Sequence, residues 1–154
     1  MQAVTTIGLD IAKSIFQVHC VDAEGNVVVR RKLKRRYVVA FFQKLPRCLV
    51  GIEACTSSHY WARELEALGH TVRLMPPACV RPHVKRHKND AADAEAICEA
   101  VTRANMRFVP TKTPDQQGGL MLHRTRHLFI RQQTAVINAI RAHLHRRTSW
   151  AQWG

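Results

Sequence analysis

Apolar and polar positions in the first third of the chain alternate in short bursts, the period expected of half-buried strands. Residues 3 to 10 predict a first strand that ends at Asp10, and Ile15 to Val21 a second, with Phe16, Val18 and Cys20 on one face. Asp22-Ala-Glu-Gly-Asn26 has turn chemistry, since Gly25 and Asn26 tolerate positive φ, and Val27 to Leu33 returns as a third strand. These three pieces predict an antiparallel meander.

The period then changes. Arg35 to Leu45 fits a helix with Val38, Phe41, Phe42 and Leu45 on its buried face, stopped by Pro46. Cys48 to Glu53 is short and nearly all apolar, the signature of a strand covered on both faces. Ser57 or Ser58 caps the next helix, in which Trp61, Leu65 and Leu68 line up as core residues before Gly69. Thr71 to Met75 predicts a fifth strand, broken by Pro76-Pro77; Arg81 to Lys88 predicts a basic loop, and a helix runs from about Asp90 to Arg103. The expectation is an α/β layer with a mixed five-stranded sheet and flanking helices, over residues 1–105. A linker is expected at 106–114 and a helix at 115–147, with Leu122, Phe129, Val136, Ile140 and Leu144 recurring; residues 148–154 form a tail.

Charge changes this picture more than size does. The 154 residues carry 24 Lys and Arg against 11 Asp and Glu, a formal net charge of +13. That excess points to a polyanionic partner, nucleic acid before an anionic membrane. No acid follows Asp115, whereas Arg124, Arg126, Arg131, Arg141, Arg146 and Arg147 do, so the last helix is basic and amphipathic. It suits either an arm that packs on a partner helix or one that lies along nucleic acid. No run has the length of a membrane span, no leader is visible, and five unpaired-looking Cys suit reduced thiols in a cytoplasmic protein.

Against this basic background the acids are few and oddly placed. Asp10 closes the first strand, Glu53 closes the fourth, and Asp90 and Asp93 open a helix three residues apart, on one face. One reading makes Asp90 an N-cap and Asp93 its capping-box partner, favoured by the helix dipole. The other gathers all four at the edge where strand ends meet helix starts. Four oxygen-donor acids suit Mg2+ or Mn2+, which prefer carboxylates together with phosphate. Such a site beside cationic surface is what phosphodiester chemistry asks for.

Three blocks, Ile7-Gly8-Leu9-Asp10-Ile11-Ala12-Lys13, Gly51-Ile52-Glu53-Ala54-Cys55 and Lys88-Asn89-Asp90-Ala91-Ala92-Asp93-Ala94, occur in that order. The chain thereby resembles the DEDD insertion-sequence transposases over roughly residues 4–145. Their N-terminal domain is a Holliday-junction-resolvase-like member of the ribonuclease H fold. The resemblance implies that Asp10, Glu53, Asp90 and Asp93 are a catalytic, metal-binding tetrad acting on DNA. It also implies a structured guide RNA held by a homodimer or higher oligomer; the 115–147 helix is expected to serve as the assembly or nucleic-acid arm. Family members continue into a second domain that supplies a nucleophilic serine. This chain ends at Gly154 with a tail unlike that continuation, so no serine is carried over, and Ser57, Ser58 and Ser149 have no motif for the role. The fragment alone is expected to bind nucleic acid without completing strand exchange. Two alternatives stay open: a stand-alone resolvase-like nuclease, and a catalytically silent nucleic-acid-binding remnant.

Candidate phosphate contacts are the run Arg30, Arg31, Lys32, Lys34, Arg35 and Arg36, the group Arg81, Lys85, Arg86 and Lys88, and Lys13 after the first strand. A solvated charge run is the plainer reading of each. His83 with His87, and His123 with His127, have the i, i+4 spacing of zinc ligands but no third ligand. Cys55 is expected as a packed thiol, and Glu95 and Glu99 as balancing charges.

Overall fold

The computed structural model describes residues 3–83 and 91–147 in full, and the backbone of 90 and 148–150. The chain divides into two compact units, residues 1–111 and 112–154. The first contains strands β1 (Thr6–Ile11), β2 (Ile15–Val21), β3 (Val27–Lys34), β4 (Leu49–Glu53) and β5 (Thr71–Met75). Its helices are α1 (Val38–Phe42), α2 (Ser58–Ala67), α3 (Pro77–Val80) and α4 (Asp90–Val101). The described residues of the second unit contain one helix, α5 (Pro114–Trp150).

One sheet has the order β3-β2-β1-β4-β5. β1, β2 and β3 are the antiparallel meander, whereas β4 and β5 run parallel to β1. This is an α/β fold with a mixed sheet and flanking helices, consistent with the ribonuclease H-like architecture. The parallel pairs explain the apolar run of β4, which is covered on both faces.

On one face Ile7, Leu9, Val50 and Ile52 are fully buried with Phe16, Phe42, Trp61 and Leu65. The Phe16 and Trp61 rings meet edge to face at 5.0 Å. On the other face Met75 and Val80 pack with Ala96, Ile97, Ala100 and Val101 of α4. Small residues on both partners bring α4 close. A Cβ added at Gly51 would lie 2.8 Å from Cβ of Val101.

Several local expectations are corrected. The helix predicted over Arg35 to Leu45 is a 3-10 turn at Arg35–Tyr37 followed by one α-helical turn and a half, Val38–Phe42. The first turn carries no acid and no side-chain cap, so the helix is held by packing of the buried Val38 and Phe42, with Val39 and Phe41 also against the core. Ser57 occupies the N-cap position of α2 without a side-chain hydrogen bond. Instead the Ser58 hydroxyl donates to the Cys55 carbonyl at 2.9 Å and accepts from the Cys55 amide at 3.1 Å. The segment expected as a loop from Arg81 begins as a 3-10 turn, Arg81–His83; Lys85, Arg86 and Lys88 lie outside the described residues. In the proline-bearing stretch after α4, the Val109 amide donates to the Leu74 carbonyl at 2.8 Å, adding an antiparallel bridge beside β5.

Candidate metal and nucleic-acid site

Strand register places the first two acids. Leu9 is paired with Ile52 across the parallel β1–β4 ladder, and Asp10 and Glu53 are the next residue on each strand. Side chains alternate along a strand, so Asp10 shares a face with Gly8, and Glu53 with Gly51. That face is the one α4 covers, because the Gly8 and Gly51 Cβ positions point into Ala94, Cys98 and Val101. The two carboxylates therefore leave the sheet side by side, toward the helix that begins at Asp90.

Asp10, Glu53 and Asp93 line one cavity of about 420 Å³, together with Ile11, Cys55, Val80 and Arg81. All three acids are half-buried. Asp90 is the first residue of α4, and its side chain lies outside the described residues. Among the described residues, no group of three or more His, Cys, Asp or Glu side chains is arranged, as it stands, to hold a metal ion. The donor set itself fits a hard divalent cation: carboxylate oxygens from three separate elements, on backbone fixed by the sheet and α4. Cys55, expected as a packed thiol, is exposed and reaches the cavity because the chain turns outward after β4; its Sγ is 3.6 Å from Ser57 Oγ.

The basic residues spread from the same end of the sheet. Asp10 pairs with Gln17, and Gln17 with Lys32, so acid and lysine stand in one row across three strands. With strands about 4.8 Å apart, that row separates the two backbones by about 10 Å. Lys13 is exposed in the turn from β1 to β2. Arg30 donates to Glu95 at 3.3 Å, linking β3 to α4. Arg31, Lys32 and Lys34 are exposed on β3, a sheet edge where charge also discourages strand addition. The Arg35 guanidinium lies 5.5 Å from the Trp61 ring centre, and that of Arg36 lies 4.7 Å from the Tyr37 ring. Trp61 is 4% exposed and belongs to the core, as expected.

Glu99 bridges His83 at 3.6 Å and Arg103, whose hydrogen bond holds its carboxyl below the ordinary value against the opposing effect of burial. His83 thus has a carboxylate neighbour, while His87 lies outside the described residues. The low bulk that Gly8 and Leu9 give the approach to Asp10 is legible in the sequence; that Gly8 admits the backbone of α4 at Ala94 is not.

Fold and cavity together define a ribonuclease H-like α/β domain with carboxylates gathered at the ends of its central parallel strands. Residues 7–147 match the family model described as transposase, the DEDD transposases of IS110 type, and the chain belongs to that family. It is 57% identical over 135 residues to a "Probable family 20 transposase" of Pseudomonas aeruginosa, covering 88% of this chain and 40% of that protein. It is 42% identical over 144 residues to the "Transposase for insertion sequence element IS1328" of Yersinia enterocolitica, covering 94% and 43%. With the "Transposase for insertion sequence element IS1111A" of Coxiella burnetii the identity is 40% over 141 residues, covering 92% and 39%. The chain spans about two fifths of the length of these curated relatives.

Proposed function

We propose that this chain is the metal- and DNA-binding part of a transposase, in which Asp10, Glu53, Asp93 and Asp90 hold Mg2+ or Mn2+ for phosphodiester cleavage and strand transfer. The observation that carries the reading is the side-by-side exit of Asp10 and Glu53 into the cavity that Asp93 shares. The cation, when bound, polarises a phosphodiester oxygen and lowers the pKa of the attacking group. The chain's own part would be to hold the ligands on rigid strand and helix ends. Arg81, also in the cavity wall, is placed to pair with a phosphate oxygen. Lys13 and the β3 lysines and arginines supply backbone contacts that raise affinity without reading sequence.

The family adds a structured guide RNA as partner and a cytoplasmic site of action; the five free cysteines suit the latter. Self-association through α5 is supported by its exposed Leu122, Phe129, Val136, Ile140 and Leu144, which recur on one side of a helix about 55 Å long. No described helix is long and apolar enough to cross a membrane.

The test is Mn2+ binding, followed by electron paramagnetic resonance, for the wild type and for Asp10→Asn and Glu53→Gln. Binding that falls at least about tenfold in each variant is expected from losing a ligand. Equal binding by all three proteins overturns the assignment.

A further inference from the structure

A second cavity, of about 460 Å³, opens between the end of β3 and the outer face of α1. Its walls combine Arg31, Lys32, Lys34 and Lys44 with the rings of Tyr37 and Phe41 and, among the described residues, contain no acid. Tyr37 is 49% exposed, with the Arg36 guanidinium 4.7 Å from its ring centre. Tyr37 ends the 3-10 turn, Phe41 lies in α1 and Lys44 in the turn that follows it, so rings and cation come from one short stretch of chain. Lys32 and Lys34 stand two residues apart on one face of β3, about 6.7 Å along the strand, a repeat comparable to that of an extended sugar–phosphate backbone.

We infer that this cavity binds an unpaired nucleotide of single-stranded DNA, its base against Tyr37 and Phe41 and its flanking phosphates on Arg31, Lys34 and Lys44. The inference rests on the DNA-acting reading above and specifies the form of DNA held at this position. A duplex buries its base faces by stacking, so it can use the cations but not the rings; only an unpaired base uses both. Among the described residues the polar side chains of the wall are Arg31, three lysines and the Tyr37 hydroxyl, so the recognition inferred is by ring face and charge. Lys32 lines this cavity and also stands in register with Gln17 and Asp10. A strand anchored here is therefore about 10 Å, backbone to backbone across the sheet, from the strand that carries Asp10. The cavity would hold a nucleotide that flanks the phosphate under attack.

The experiment uses the full chain in EDTA, so that the metal site plays no part. Fluorescence anisotropy measures binding to an oligothymidylate about a dozen nucleotides long, to its duplex with oligoadenylate, to the oligouridylate, and to an abasic strand of equal charge. Tyr37→Leu is expected to weaken the oligothymidylate about 5- to 50-fold while leaving the duplex and abasic strands unchanged. Tyr37→Phe should bind like wild type, and Lys44→Gln should weaken all four ligands and lower the salt slope by about 1. A 5-iododeoxyuridine strand should photo-crosslink to the peptide containing Tyr37, a result that a purely structural tyrosine would not produce. Wild-type binding to DNA that Tyr37→Leu leaves unaltered overturns this inference alone. A marked preference for the oligouridylate also overturns it, in favour of an RNA site. Failure of the wild type to bind any strand overturns both it and the function proposed above.

Discussion

A methyl group on Gly8 would stand 2.0 Å from the carbonyl oxygen of Ala94, so β1 and α4 touch backbone to backbone. Asp10 lies two residues beyond Gly8 on the same face, and Asp93 immediately precedes Ala94. The contact thus sets how near the strand acid comes to the helix acid.

Gly8→Ala is therefore expected to cost about 3 kcal/mol or more, because the clash is with backbone and no side-chain rotation relieves it. Gly51→Ala meets Val101 Cβ at 2.8 Å and the flexible end of Met75 at 3.1 Å, and should cost about 1–3 kcal/mol. Urea unfolding followed by circular dichroism measures both. Equal stability of Gly8→Ala and wild type would show that α4 does not rest on β1 in this way.

Arg81 shares the cavity with three carboxylates, so its removal should act oppositely on two ligands. Arg81→Gln is expected to raise Mn2+ affinity, since a fixed positive charge leaves the site. The same change should weaken DNA binding and reduce its salt slope by about 1. A parallel fall in both affinities would place Arg81 among the supports of the fold.

The turn between β2 and β3 predicts an acid-sensitive element. Burial acts to raise the Asp22 pKa. The opposing hydrogen bonds win, donated by the Asn26 amide at 2.7 Å, the Asn26 side chain at 3.2 Å and the Glu24 amide at 3.1 Å. The carboxyl is held below its ordinary value, so its contribution is present above the unfolded-state pKa of about 4 and is lost as pH falls through the folded value. Asp22→Ala should thus differ most from wild type near neutrality, with the gap narrowing below about pH 4. Thermal unfolding of both proteins across that range is the measurement.

Thiol chemistry should sort the five cysteines by depth. Burial pushes Cys20 up to about 12 and Cys48 and Cys98 up to about 11, whereas Cys55 is exposed and Cys79 half-buried. A disulfide-exchange reagent at mildly alkaline pH should modify Cys55 first and Cys79 next. The other three should react only at the rate of unfolding, and mass spectrometry of timed samples reads the order.

Much of the fold was legible in the chain because strand periodicity and turn chemistry are local. The bounds of β2 and β5 and the Asp22 to Asn26 turn follow from residues that are neighbours in sequence. The helix after β3 was overestimated because Phe41 and Leu45 keep helical spacing, while nothing local supplies a cap to extend it. Cys55 was misjudged because its type suggests burial, yet its exposure depends on where the chain turns after β4.

By itself, the sequence determined which elements form, which residues are acidic at their ends, and that the surface is strongly cationic. Those properties depend on composition and on spacing of a few residues. Only tertiary structure decided that Asp10 and Glu53 emerge on the same side as Asp93, and that Lys32 stands in line with them. A shift of one residue in the β1–β4 ladder would leave every local pattern intact and send one carboxylate to the opposite face. That register is held by Ile7, Leu9, Val50 and Ile52 packing under α2, and by two glycines admitting α4.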